Sequence, residues 1–265
     1  MSYNLLKNKK GIIFGALNEN SIAWQVAQKI KKEGGRFVLS NSETGIRTGK
    51  IKLLSKICNT EIVSANINSI NDINNLFIQS TLILNGKIDF ILHSVALSKN
   101  IRKKNNYGNL NYKWFLETLN VSGLSFHKMI QTAEKLNIIN KWGSIITLSF
   151  IGSQKVYPGY SDMSQAKAIL ESITRNYGYR FAKKNKIRIN TILQSPTITT
   201  AGKGIKKFNK IYKYTHKISP LGNASIEDCS NFIVFMFSDL SKMITMQSLI
   251  HDGGFSNCGI TEDIL

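Results

Sequence analysis

Tyr160 and Lys167 stand seven positions apart in the stretch YSDMSQAKAILES. At about 3.6 residues per helical turn, seven positions are nearly two turns, so both side chains leave one face of a helix. A phenol and an ammonium group so placed converge on one bound molecule. The tyrosine donates a proton or a hydrogen bond to an oxygen gaining charge. The lysine lowers the phenol pKa through its positive charge and holds ribose hydroxyls. An unperturbed phenol has a pKa of about 10, and a neighbouring cation draws it toward working pH. This spacing also arises by chance, so the surrounding chain must decide its meaning.

At 265 residues with 42% hydrophobic and 19% charged side chains, the chain is long enough to bury a sizeable core. It contains no apolar run of the roughly 20 residues that a membrane span needs. The apolar stretch GIIFGA behind Lys7, Lys9 and Lys10 is too short for a signal-peptide core, which predicts a cytoplasmic protein. Cys58, Cys229 and Cys258 are scattered, as are His93, His127, His216 and His251, so no metal site or disulfide framework is expected. Thirty-five basic against 16 acidic residues give a formal net charge of +19. Such a balance favours acidic partners. The lysines are spread along the whole chain, however, and no nucleic-acid motif or aromatic-basic platform accompanies them.

Short runs rich in Ile, Val, Leu and Phe recur: GIIFGA, RFVLS, EIVSA, IDFILHS, GSIITLS, IRINTIL and SLIHDGG. They read as buried parallel strands. Between most of them lie helical stretches. Ile22, Val26 and Ile30 recur every four residues, Ser225 and Asp228 form a capping-box pattern, and a long helix is predicted from about Tyr112 to Leu136. The alternation predicts an α/β fold with a Rossmann-like, doubly wound, parallel seven-stranded sheet and helices on both faces. With neither linker nor repeat, residues 1–265 read as a single dinucleotide-binding reductase domain.

Ligands of such sheets bind at the carboxyl ends of the strands, where strand order reverses. Gly15 ends the first strand there, and Ser21 and Ile22 open the following helix, an arrangement that suits a diphosphate. The motif is not GxGxxG and also fits a plain strand-to-helix turn. Asn66 and Ser94 follow the third and fourth strands, at the rim where adenine and ribose are expected. The fifth strand leads through Pro158 and Gly159 to Tyr160. Two decoys, Tyr3 with Lys7 and Tyr179 with Lys183, have the YxxxK spacing of ordinary short-chain dehydrogenases. The first precedes the sheet and the second lies late in a helix, so position rejects both.

With Gly15…SIA, LHSVA, the Tyr160–Lys167 pair, QSPTITTAG and HDGGFS in order, nearly the whole chain resembles the enoyl-acyl-carrier-protein reductases. These are divergent short-chain reductases of type II fatty acid synthesis. The resemblance implies that Tyr160 and Lys167 are catalytic, as the family's Y-x6-K pair. Gly15, Ser21 and Ile22 match its diphosphate turn, and Asn66 and Ile67 the adenine contacts. Val95 matches the nicotinamide end, and Thr197, Ile198, Thr199, Thr200 and Ala201 the segment closing on the cofactor. Ser98 falls where a substrate or inhibitor meets backbone, beside Tyr160. Phe150 replaces a second active-site tyrosine and still lines the acyl pocket. Val95-Ala96 replaces the commoner Ile-Gly, and Asn66 the usual Asp.

The implied reaction is hydride transfer to the β-carbon of a trans-2-enoyl thioester on acyl carrier protein, by a homotetramer. The cofactor expected is NADH, with NADPH as the alternative: Ser40, Asn41 and Ser42, the last counted with the cofactor residues, include neither an acid nor a basic pair. Residues 196–220 are expected to form a substrate lid. Lys203, Lys206, Lys207, Lys210, Lys213 and Lys217 line its outer face, either as a guide for an acidic carrier protein or as plain solvated surface. Three rivals stand beside this reading: a β-ketoacyl-type reductase, for which Lys167 is misplaced; a non-catalytic dinucleotide sensor, which has no need of Tyr160; and a nucleic-acid module.

Overall fold

The computed structural model describes residues 2–260. Its strands are β1 (Lys10–Phe14), β2 (Arg36–Asn41), β3 (Ile62–Ser64), β4 (Ile88–His93), β5 (Ile139–Phe150), β6 (Arg188–Gln194) and β7 (Ser248–His251). All pair in parallel, in the order β3-β2-β1-β4-β5-β6-β7. This is the doubly wound Rossmann-like sheet predicted from the seven apolar runs. Helices α1 (Ile22–Lys32), α2 (Glu43–Thr48), α3 (Ile51–Cys58), α4 (Ile70–Ile83) and α5 (Lys99–Arg102) come first. They are followed by α6 (Tyr112–Leu119), α7 (Ser125–Lys135), α8 (Met163–Asn185), α9 (Phe208–Ile218) and α10 (Ile226–Phe237).

Successive strand side chains point to opposite faces, and here both faces are covered. Ile12 and Phe14 join an apolar cluster with α4, α7 and α8, while Ile13 joins another with α1, α3 and α10. The same division separates Ile91 from Phe90 and Leu92, and Ile145 from Ile146. That double coverage is why the strands read as unbroken apolar runs.

Two departures from the sequence reading bear on the site. The helix expected from Tyr112 to Leu136 is α6 and α7, joined through a π-helical turn at Asn120–Leu124. Tyr160 does not lie in α8, which begins at Met163; the chain reaches it through a turn in which Gly159 and Ser161 have positive φ. Ser225 and Asp228 form the expected capping box of α10. The three cysteines are free, and burial raises the thiols of Cys58 and Cys229 to about 11 and about 12.

Candidate active site

The chain runs from β1 outward to β3, then returns to β4 on the other side of β1. The resulting crevice opens above the carboxyl ends of β1 and β4. Gly15 has φ +91°, and a Cβ there would collide with the carbonyl oxygen of Ser94. Glycine meets both demands, positive φ and close backbone approach. Beyond it, the Ser21 hydroxyl donates to the Asn18 carbonyl (2.7 Å) and accepts from Leu17 N–H (3.3 Å), so it does not cap α1. The first turn of this 11-residue helix, which follows β1, therefore has no side-chain cap.

The segment after β6 is tied to this turn. Thr200 Oγ1 donates to Asn18 Oδ1 (2.9 Å), and Thr200 N–H to the Asn20 carbonyl (3.2 Å). Thr199 Oγ1 accepts from Gly202 N–H (2.9 Å), and Thr197 Oγ1 donates to the Ser195 carbonyl (3.0 Å). Ile198 and Ala201 are exposed. Asn41 Nδ2 donates to the Ala16 carbonyl (3.0 Å), anchoring the end of β2 to the same turn.

On the other side, Tyr160 is only 7% exposed. Its ring meets Phe150 at 5.1 Å and Tyr157 at 6.3 Å between centroids, while Phe150 and Tyr157 lie 4.5 Å apart edge to face. Ile101, Met163, Ala166 and, from the segment before α9, Ile205 complete this cluster. Gly152 permits it, because a Cβ there would press on both the Tyr160 and Phe150 rings. Among the described residues the Tyr160 hydroxyl makes no hydrogen bond; rings and aliphatic side chains hold the phenol.

Lys167, on α8, is 5% exposed. Its Nζ donates to the carbonyls of Leu148 (2.8 Å) and, more weakly, Val95 (3.4 Å), joining the ends of β4 and β5. Burial lowers its pKa to about 8, against the opposing negative charge of Glu171. Burial also raises the Tyr160 phenol well above its usual value, with Glu171 and Tyr157 adding to the rise. This corrects the expectation that Lys167 acidifies the phenol: desolvation wins, and the ammonium group is turned toward carbonyls. At the end of β4, His93 sits between Thr147 Oγ1 (3.1 Å) and Ser125 Oγ (2.9 Å), its pKa lowered to about 3 by burial and by the Lys167 charge. It is a neutral core histidine.

A family model described as enoyl-(acyl carrier protein) reductase matches residues 15–256. The chain belongs to that family. Among its relatives, the NADH enoyl-[acyl-carrier-protein] reductase FabI of Rickettsia conorii is 33% identical over 266 residues, covering 99% of this chain and 100% of that protein. The FabI of Buchnera aphidicola subsp. Schizaphis graminum is 35% identical, covering 98% and 99%. The crystal structure of the FabI–NADH complex from Alistipes finegoldii superimposes with a TM-score of 0.97 at 48% identity, covering 99% of this chain and 93% of that one.

Two buried carboxylates of this reductase-family chain were not legible in its sequence. Asp162 is fully buried and accepts from Ser98 Oγ (2.6 Å), Asn100 Nδ2 (2.8 Å) and Thr118 Oγ1 (2.9 Å). It ties the turn after β4 and helix α6 to the residues beside Tyr160. Ser98, expected at the substrate, therefore has its hydroxyl committed to Asp162, and it also caps α5. Glu171 accepts from Ser149 Oγ (2.7 Å), Ser153 Oγ and Gln154 Nε2 (2.8 Å), clamping the strap that carries Phe150 and Gly152. Its place one turn after Lys167 was the available signal.

The remaining predicted residues lie apart from the Tyr160 cluster. Ser42 is exposed and caps α2, accepting from Gly45 N–H (3.2 Å). Asn66, exposed after β3, gives its N–H to Asp72 Oδ2 (3.0 Å) and accepts from Asn68 N–H (3.1 Å). Ile67 and Val95 are half-buried against the α4/α7/α8 core.

Proposed function

We propose that this protein reduces the carbon–carbon double bond of a trans-2-enoyl thioester carried on acyl carrier protein, the last step of the type II fatty acid elongation cycle. The reading is carried by Tyr160, a phenol without a hydrogen-bond partner at the lip of a crevice whose floor Lys167 braces. NADH, when bound, supplies the hydride that adds to the β-carbon. The residues present fit a dinucleotide: Gly15 admits close backbone approach, and the uncapped N–H groups of α1 suit a diphosphate. NADH is favoured over NADPH. Arg36 opens β2, at the end of the strand opposite the crevice, Arg47 is exposed on α2, and Glu43 stands in that helix's first turn.

As the double bond is reduced, negative charge gathers on the thioester oxygen. Tyr160 stays protonated, because its pKa is raised, and donates a hydrogen bond to that oxygen. Charge stabilisation by a donor fixed in advance is the protein's main contribution. Lys167 holds the ribose hydroxyls and lends positive charge beside the crevice. Gly15, Ser21, Ile22, Ser42, Asn66, Ile67, Ser94, Val95 and the run Thr197–Ala201 line the cofactor. Ser98 and Phe150 shape the substrate side, with residues 196–220 as a lid. No helix among the described residues is long and apolar enough to cross a membrane. The working form is a cytoplasmic homotetramer, which light scattering checks, and the lysines of the lid's outer face draw in the acidic carrier protein.

The deciding test follows NADH consumption with a short trans-2-enoyl thioester and with the matching β-ketoacyl thioester. Oxidation with the enoyl compound alone is expected. Oxidation with the ketoacyl compound alone would overturn the reading, and tight dinucleotide binding without turnover would bring the sensor alternative forward.

A further inference from the structure

A second cavity, of about 610 Å³, opens on the lid side of Tyr160. Four lysines line it, Lys104 from the loop after α5 and Lys206, Lys207 and Lys210 from the lid, together with Tyr107, and no carboxylate is among its lining residues. Ile101, Tyr157, Ile211 and Tyr214 add apolar and aromatic surface to its lining. One lining residue departs from the usual rule for buried polar groups. Ser161 is 8% exposed, and its Oγ is buried with no hydrogen-bond partner. A hydroxyl left so is costly unless a ligand completes it.

These features suit an occupant with a neutral body, an anionic group and a group that hydrogen-bonds a hydroxyl. Tyr157, Pro158, Gly159 and Ser161 line the cavity and flank Tyr160 in the chain, which sets it beside the turn that carries the phenol. We infer that the cavity takes the pantetheine arm of the thioester and that the lysine rim binds the phosphate ester at the arm's end. This rests on the thioester reading above and adds to it: the enzyme recognises the phosphorylated arm itself, apart from any attraction between the lid and an acidic carrier protein. Phosphate against several ammonium groups gives charge-assisted hydrogen bonds, the stronger class of such contacts. Part of that gain is lost to salt, because the lysines are exposed.

The test compares crotonyl-pantetheine with crotonyl-4′-phosphopantetheine, using the full chain with NADH at low ionic strength. The phosphorylated probe is expected to have a kcat/KM about ten-fold higher, mainly through KM, and the advantage should shrink as salt is added. Crotonyl-coenzyme A, which carries a phosphate at the same place, should share the advantage. In Lys206→Ala/Lys210→Ala the ratio between the two probes should fall toward one. A ratio near one in the unaltered protein overturns the inference. So does a ratio that survives the double substitution, or an advantage confined to the carrier-protein thioester. Failure to reduce any enoyl thioester, the carrier-bound one included, is a different result: it removes the proposed function itself.

Discussion

Lys167 and Tyr160 are anchored in opposite ways. The lysine sits inside a 23-residue helix, packed against the central strands, with its ammonium group bonded to two strand-end carbonyls. The tyrosine stands in an irregular turn between two residues of positive φ, held by rings. The floor of the crevice, proposed for the cofactor, is thus set by the strand ends and by α8, with its loops tied to them. The lip, proposed for the substrate, is made of loops that Asp162, Glu171 and an aromatic cluster must pin individually. On that reading a separately braced lip allows the pocket beside it to differ without disturbing the sheet.

The floor is the harder of the two to alter. Gly15→Ala introduces a clash with backbone at positive φ, and should cost at least about 3 kcal/mol of stability and abolish dinucleotide binding. Urea unfolding and cofactor fluorescence check both; a variant that binds NADH normally would mean the turn is looser than its geometry. At the lip, Tyr160→Phe should lower turnover about 10²- to 10³-fold while changing cofactor Kd less than about two-fold. Lys167→Ala should weaken both, and an unchanged cofactor affinity would sink its ribose role.

Bracing can be separated from chemistry by Asp162→Ala, which leaves Ser98 Oγ without its acceptor and takes one of two acceptors from Asn100 Nδ2 and from Thr118 Oγ1. A loss of about 2–4 kcal/mol in stability is expected, with Asp162→Asn retaining part of it. Equal stability of the alanine variant and the parent would show that the network does not hold the lip.

The smallest effects are in pH dependence. The folded-state pKa of Lys167 is lowered, to about 8 against 10.5, so above about pH 8 the folded protein releases a proton that the unfolded chain keeps. This group's contribution to stability therefore rises with pH between about 8 and 10.5. Turnover that needs the ammonium form should instead fall above about pH 8. Since Glu171 raises the Lys167 pKa, Glu171→Gln should move that alkaline limb to lower pH by a fraction of a unit. A limb that stays in place would exclude Lys167 as its source.

The floor was also the more legible region. Strands buried on both faces show up as apolar runs, and Gly15 and Ser94 take their positions from where those runs end, while Lys167 follows from its spacing on the helix after the fifth. The lip depends on contacts that leave no local pattern. Asp162 meets Ser98, Asn100 and Thr118 across 64, 62 and 44 residues of chain. Burial reversed the sign expected for the Tyr160 pKa, because a spacing of seven places two groups on one side without revealing how much water surrounds them. Helices α2 and α3, at six and eight residues, are too short to show a period.

The π turn at Asn120–Leu124 has a consequence for how this chain tolerates insertions and deletions. Such a turn holds one residue more than an α-helical turn, and each residue advances a helix by about 100°. Removing one residue there leaves an ordinary α-helical turn, so α6 and α7 merge into a continuous helix and keep their faces, with Thr118 still on Asp162. Ser122 sets the limit, because from within the turn it bonds both the N–H and the carbonyl of Leu97. A single-codon deletion that spares Ser122 should therefore be absorbed at the turn. The same deletion in a regular turn has no such slack, since each residue lost there rotates what precedes it by about 100°.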